Sequence, residues 1–299
     1  MKRYDFARYL LVALALASTV HSNAEPPGRI TNLYDAFGAA EPALTQDWGF
    51  AALVEYRGKR ILFDTGNDAG IFERNIAALD VDLARLDAVV ISHRHSDHTS
   101  GLEYLLEVNP DVLIFAPEEG FFFGGSLPGD FLDPVPGLPA DLRYFGGLYP
   151  DRIEAGSPWP DADFRVVTET TEILPGFFVI SVRSQKPGTV DMNELSLAIR
   201  TPRGLLVVVG CSHPGVEKIL GQATDIDERL YSVVGGFHLV RAPEPEVRRV
   251  ALLLRDELKI ERVAPAHCTS EPGFKVFLDL FGARFDRAGL GAKIEIPSE

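Results

Sequence analysis

Cysteine is scarce in this chain. There are two in 299 residues, Cys211 and Cys268. That excludes a disulfide framework and leaves the sulfurs as a single bridge or as metal ligands. Positive charge is also short: Lys and Arg total 29 against 43 Asp and Glu, for a net charge of -14. Nucleic acids and anionic membranes want Lys/Arg patches, so neither is an expected partner, and a small molecule is. Long apolar runs are missing apart from one at the N-terminus. There Lys2, Arg3 and Arg8 precede the stretch Leu10 to Ala17, and Ser18, Thr19 and His21 lead into Ser22-Asn23-Ala24. A basic start, a short apolar run and a small-x-small site make a secretory signal peptide, cut after Ala24. The run is too short to span a bilayer comfortably, and no cysteine is present to carry a lipid anchor. The expectation is a periplasmic or secreted protein without residues 1–24. The rest is ordinary for a globular chain, with 46% apolar and 24% charged residues. Pro26, Pro27 and Gly28 read as a linker, and one domain is expected over 30–299.

What the chain does have is histidine in unusual places. Ala88 to Ile91 is a short apolar, β-branched run, which reads as a buried strand. His93, His95, Asp97 and His98 follow at once. Leu102, Leu105 and Leu106 then take up a helical spacing. Imidazole and carboxylate at this density are the donors of a borderline divalent ion such as Zn²⁺. The geometry suggests two ions. His93 and His95 can point to one side of an extended loop, whereas Asp97 and His98 turn toward another as the helix begins.

The same pattern recurs along the chain. Trp48 to Tyr56, a turn at Arg57-Gly58-Lys59 and Arg60 to Phe63 form a hairpin ending in Asp64-Thr65-Gly66. A helix is expected over 70–79 and a strand over Val112 to Phe115. Leu195 to Arg200 and Leu205 to Val209 form a second hairpin ending in Gly210-Cys211-Ser212-His213. The stretch Tyr231 to Val234 runs through two glycines to His238. A helix is expected over 245–257. Arg262 to Ala266 ends in His267-Cys268. Six of the seven histidines lie at four such strand ends, and packing alone does not place them so. Two hairpin-led halves fit an α/β fold of the αββα four-layer kind, in which each half supplies one sheet and the site lies along their shared edge. Between Pro117 and Pro160 the chain is dense in Gly, Pro and Phe, including the run Phe121 to Phe123. That is too long for an ordinary connection, and it is read as a lid with an aromatic lining.

The segment His93-x-His95-x-Asp97-His98, with its apolar strand before and Thr-Ser-Gly-Leu after, resembles the signature of the metallo-β-lactamase superfamily. Phe63 to Gly66, Gly210 to His213, Gly235 to Leu239 and His267 to Thr269 resemble one branch of it, uncharacterised metal-dependent hydrolases that include an archaeal dihydropterin synthase. The resemblance spans roughly 45–275. It implies two divalent ions, zinc being the expected one, with His93 and His95 in one site, Asp97 and His98 in the other, and His213 and His267 as further ligands. It also implies a supporting role for Asp64, which on its own could merely make a turn. The bridging position stays open: spacing puts His238 there, hairpin topology puts Cys211 there. The activity implied is hydrolysis of an ester, lactone, thioester or phosphoester, with Asp97 orienting the nucleophile or passing a proton, and His238 stabilising charge on the substrate. Synthase or transferase chemistry on a pterin-like substrate and non-catalytic metal or ligand binding are the rivals. Alternation along a strand predicts that Cys268 points away from the metals if His267 points toward them.

Overall fold

A computed structural model describes residues 28–38, 41–119, 122–123 and 125–298. Residues 1–24, read as a signal peptide, lie outside the described residues, and so does Phe121. No helix among the described residues is long and apolar enough to cross a membrane.

The strands are β1 (Gly28–Tyr34), β2 (Ala51–Tyr56), β3 (Lys59–Phe63), β4 (Ala88–Val90), β5 (Ile114–Pro117), β6 (Gly125–Pro128), β7 (Arg152–Ala155), β8 (Phe164–Val167), β9 (Thr171–Leu174), β10 (Phe177–Arg183), β11 (Asn193–Thr201), β12 (Gly204–Val209), β13 (Leu230–Gly236), β14 (Arg262–Ala266) and β15 (Lys293–Ile296). The helices are α1 (Ala69–Ala78), α2 (Ser96–Thr99), α3 (Leu102–Val108), α4 (Val216–Ala223), α5 (Glu244–Leu252) and α6 (Glu271–Phe281). One sheet runs β15-β1-β2-β3-β4-β5-β8, the other β14-β13-β12-β11-β10-β9, and β6 pairs with β7 alone.

The two halves repeat one plan. The β2–β3 hairpin is followed by β4 parallel to β3, and the β11–β12 hairpin by β13 parallel to β12. A parallel step needs a crossover, which α1 and α4 supply. Strands covered on both faces carry apolar residues without alternation: every residue of β12, Gly-Leu-Leu-Val-Val-Val, is buried. Phe63, Val90, Leu197, Val208 and Ala264 pack between the sheets. Val207, Ile219, Val250 and Phe277 belong to a cluster joining α4, α5 and α6 to the second sheet. Leu62, Phe72, Ile76 and Leu105 belong to one joining α1 and α3 to the first. The result is the expected αββα layering.

Three expectations change. A strand already covers Gly28, within the segment read as a linker, because β1 pairs with both β2 and β15. The halves do not map cleanly onto the sheets, since β15 comes from the C-terminal end and joins the first. Phe122, Phe123 and Trp159 of the insertion are spent on packing, whereas Tyr144 and Phe145 stay exposed. Phe122 lies 4.9 Å from Phe123 and 5.6 Å from Trp159, and Phe123 lies 5.3 Å from Phe164, all ring to ring. These rings sit in the cluster with Ile114 and Ala116, where they shield one another from water.

Candidate metal centre

The carboxyl ends of β3, β4, β12, β13 and β14 meet at one edge of the sandwich, the usual place for a site in such sheets. Leu195 N donates to Ser92 O at 2.8 Å, fastening the two halves there, and Gly236 N donates to Gly210 O at 3.0 Å, joining the ends of β13 and β12. The histidine loop is tied to the first sheet by its backbone. Phe50 N donates to Asp97 O at 3.1 Å, and Thr65 N and Oγ1 donate to His98 O at 2.9 and 3.0 Å. Gly101 permits this approach, because a Cβ there would stand 2.1 Å from Thr65 O. Gly101→Ala is therefore expected to destabilise the fold by about 1–3 kcal/mol, the usual cost of overpacking, read as a lower urea midpoint. An unchanged midpoint would show that the loop is not clamped at Gly101.

Two buried carboxylates support the rings. Asp64, with φ 57, accepts from Ser92 N and Ser92 Oγ, each at 2.7 Å, and from His98 Nδ1 at 2.6 Å. The Ser92 hydroxyl, having given its proton to Asp64, accepts from His93 Nδ1 at 2.8 Å. One carboxylate thus sets the orientation of two imidazoles. Glu194 does the same in the other half. It accepts from Cys211 N at 2.9 Å, Ser212 N at 2.6 Å and His213 N at 2.7 Å, and from His213 Nδ1 at 2.9 Å. Three consecutive amides wrapped on one carboxylate form an anion nest, which Ser212 makes possible by turning to φ 63. His93, His98 and His213 all spend Nδ1 on support and keep Nε2 for the cavity.

The cavity rings are close. His93 lies 4.3 Å from His98 and 4.6 Å from His213, His95 lies 4.9 Å from His213, and His98 lies 5.0 Å from His267, ring to ring. His95 Nδ1 faces His93 Nε2 at 3.1 Å. Cys211 Sγ lies 3.2 Å from His98 Nε2. His267 is fixed through its backbone N, which donates to Asp35 Oδ2 at 3.2 Å. Its ring is buried, yet neither nitrogen makes a hydrogen bond; Nε2 lies 3.4 Å from Asp97 Oδ2. Unpartnered nitrogens in a dry site are costly unless a ligand takes them. Trp48, 45% exposed, has its ring 4.9 Å from that of His267 and marks the mouth.

The donor atoms fall into sets. His93, Cys211 and His213 place theirs within 4.8 Å of one another, and so do His98, Cys211 and His267. Cys211 belongs to both, so the geometry follows the hairpin reading of the bridging position and puts His238 outside these two sets. His238 is exposed, at φ 49, with its ring 4.4 Å from that of His213. The expectation that Cys268 faces away does not hold. Alternation requires an extended chain, and His267 leaves it at φ 43. Cys268 Sγ therefore turns inward, 3.6 Å from Cys211 O. Both cysteines are free and buried.

The charges follow from this packing. Burial pushes His93 well down, with His98 and His213 adding to the fall. Burial also brings His95 down to about 4, helped by His213. Burial alone would lower His98 too, but the Asp64 charge and hydrogen bond lift it to about 9. Burial raises Asp64 in turn, with His98 and Ser92 holding it back. Burial works to raise Asp97 and Glu194 as well, but contact with His267 and the His98 charge hold Asp97 well below the usual carboxylate range, and His213 lowers Glu194.

Glu194 and Asp35 were not singled out from the sequence. The signal for Glu194 was there, a lone acid directly before the apolar run Leu195-Ser-Leu-Ala-Ile; Asp35 had none beyond following β1. Arg94, between two of the histidines, forms an ion pair with Glu119, which also accepts from Asn193 N at 3.0 Å and so ties the start of the insertion to the loop.

The chain matches the metallo-β-lactamase superfamily over residues 49–267 and belongs to it. It is 26% identical over 295 residues to 7,8-dihydropterin-6-methyl-4-(β-D-ribofuranosyl)-aminobenzene-5'-phosphate synthase of Methanocaldococcus jannaschii, covering 89% of this chain and 96% of that protein. Among solved structures it resembles Tm1679, a metal-dependent hydrolase of the β-lactamase superfamily, with 27% identity and a TM-score of 0.68 over 91% of this chain and 100% of that one. The fold is also shared with YhfI of Bacillus subtilis, at 13% identity and a TM-score of 0.54 over 90% of this chain and 100% of that one.

Proposed function

We propose that this chain is an exported metal-dependent hydrolase of the periplasm or exterior. It would hold two divalent ions, zinc by preference, on His93, His95 and His213 at one position and Asp97, His98 and His267 at the other, with the Cys211 thiolate between them. The observation that carries this reading is the presence of Cys211 Sγ in both donor sets. The unpartnered nitrogens of His267 and the mix of imidazole, carboxylate and thiolate suit zinc. Ions held so would lower the pKa of a water and polarise a carbonyl or phosphoryl oxygen. The residues supply the rest. Asp97, held ionised, accepts a hydrogen bond from the attacking group and orients it. His238, exposed beside His213, donates to charge developing on the substrate. Asp64 and Glu194 keep the Nε2 lone pairs aimed inward.

The substrate class is an ester, lactone, thioester or phosphoester. A second reading is supported by the likeness to the archaeal synthase along nearly its whole length: group transfer on a pterin-like substrate at the same centre. Metal analysis of the purified protein, with a panel of ester, lactone and phosphodiester substrates, separates the readings. Turnover of one class that vanishes on chelation and returns with zinc supports hydrolysis. Bound metal with no turnover on any class leaves synthase chemistry or plain binding and ends the hydrolase reading.

Glu194→Gln should weaken metal binding at the His93 position by about 10–100-fold, the usual cost of losing such an orienting partner. The amide would have to present its NH₂ to a donor, either a nest amide or His213 Nδ1. Competition with a chromophoric chelator measures this, and unchanged affinity would mean that Glu194 holds only the backbone.

A further inference from the structure

Two groups at the cavity have no place in the paired donor sets: the Cys268 thiol and the His238 imidazole. Both face the Cys211 sulfur. Cys211 Sγ, Cys268 Sγ and a His238 nitrogen all lie within 4.8 Å of one another, with the sulfurs buried and the imidazole exposed. Neither thiol is in a disulfide. The arrangement is built into the backbone. His238 and His267 both adopt the left-handed region, at φ 49 and 43, where a bulky side chain is strained. Leu239 N and Val240 N donate to Cys268 O at 3.0 and 3.1 Å, so the turn carrying His238 is fastened to the residue carrying the second sulfur. Gly236 leaves room for that sulfur, since a Cβ there would stand 2.8 Å from Cys268 Sγ.

We propose that Cys211, His238 and Cys268 form a separate site for one thiophilic d¹⁰ ion, which competes with the paired ions for the Cys211 sulfur. Two thiolates and one imidazole are a softer donor set than either of the others, each of which has a single sulfur. Zinc, a borderline ion, gains more ligands in the imidazole and carboxylate sets and goes there. An ion that ranks thiolate above imidazole goes to the two sulfurs. Binding converts both thiols to thiolates, and their protons pass to water. The Cys211 thiolate has one negative charge, and a third cation on it would meet the other two at short range. The occupancies therefore exclude each other. The exposed His238 side gives the ion its way in. Cadmium or cuprous ions are thereby inhibitors that act by withdrawing the sulfur shared by the zinc pair, whatever substrate the zinc pair serves.

Cadmium NMR on the reduced, chelator-stripped full chain tests this with one equivalent of cadmium. The expected resonance lies in the range of two-thiolate coordination. Cys268→Ser should move it to the one-thiolate range and weaken cadmium binding at least tenfold, while zinc uptake by metal analysis stays at two per chain. One equivalent of cadmium added to the zinc-loaded protein should release zinc. A wild-type resonance in the one-thiolate range overturns the proposal, and it does so without any variant should Cys268→Ser fail to fold. Zinc stoichiometry, read separately, reports on the paired-metal reading: normal zinc uptake with a one-thiolate cadmium resonance would sink this site and leave that reading intact.

Discussion

Cys211→Ala is expected to remove both ions and to lower kcat/KM by on the order of 10³-fold or more, the scale of losing a metal-activated nucleophile. The argument rests on sharing. Each donor set holds nitrogen ligands of its own, so losing an outer residue such as His95 affects one position alone. Cys211 Sγ is the donor the two sets have in common, so its loss leaves each ion one ligand short at once. The fold should survive. The side chain is small, and the turn around it is held by the Glu194 nest through backbone amides that alanine retains. A cavity of that size costs about 1 kcal/mol. Cys211→Asp should restore part of the metal content, because a carboxylate can also bridge. Metal per chain, unfolding of the chelated protein and turnover are the three readouts. Two ions bound to Cys211→Ala would show that the sulfur is a neighbour of the ions and not a ligand.

How far the site could be read in advance depended on what kind of information places each residue. His93, His95, Asp97, His98, His213 and His267 were legible because each follows a short apolar strand, and strand ends in an αββα sandwich converge on one edge. Local pattern and global topology carry the same information there. Cys211 and His238 could not be ranked by spacing along the chain. Only the pairing of β11 with β12, which brings Glu194 under the 211–213 turn, decides which of them faces both donor sets. Cys268 was misplaced for a backbone reason. A left-handed residue at His267 breaks the alternation that an extended strand would impose, and nothing in Ala-Pro-Ala-His-Cys announces it.

The supporting residues were hidden in a different way. Asp64 showed itself through a hairpin that ends in a polar residue. Glu194 performs the same task from the second residue of β11, where an acid reads as a strand-end residue until its four donors are seen. The return of β15 to the first sheet was also invisible, since sheet order is set by contacts across more than 200 residues. The Phe run of the insertion showed the opposite failing. It was read as part of a lid lining, but Phe122 and Phe123 pack against each other and, through Phe122, against Trp159.

His95→Ala is expected to separate the two positions. His95 is only partly buried, and its ring touches His93 and His213 but none of the second set. Alanine there should lower the content to one ion per chain, with His98, Cys211, His267 and Asp97 keeping theirs. Turnover should fall by about 10²–10⁴-fold, the scale of losing a positioned nucleophile or base while substrate binding and the second position remain. Unfolding of the chelated protein should match the parent within about 0.5 kcal/mol, as for other changes outside the packed core. The contrast with Cys211→Ala is the decisive feature: one ion lost against two. Loss of both ions from His95→Ala would mean that the positions fill cooperatively. Full activity with one ion would mean that the Asp97 side alone performs the chemistry, and the His93 position would then be structural.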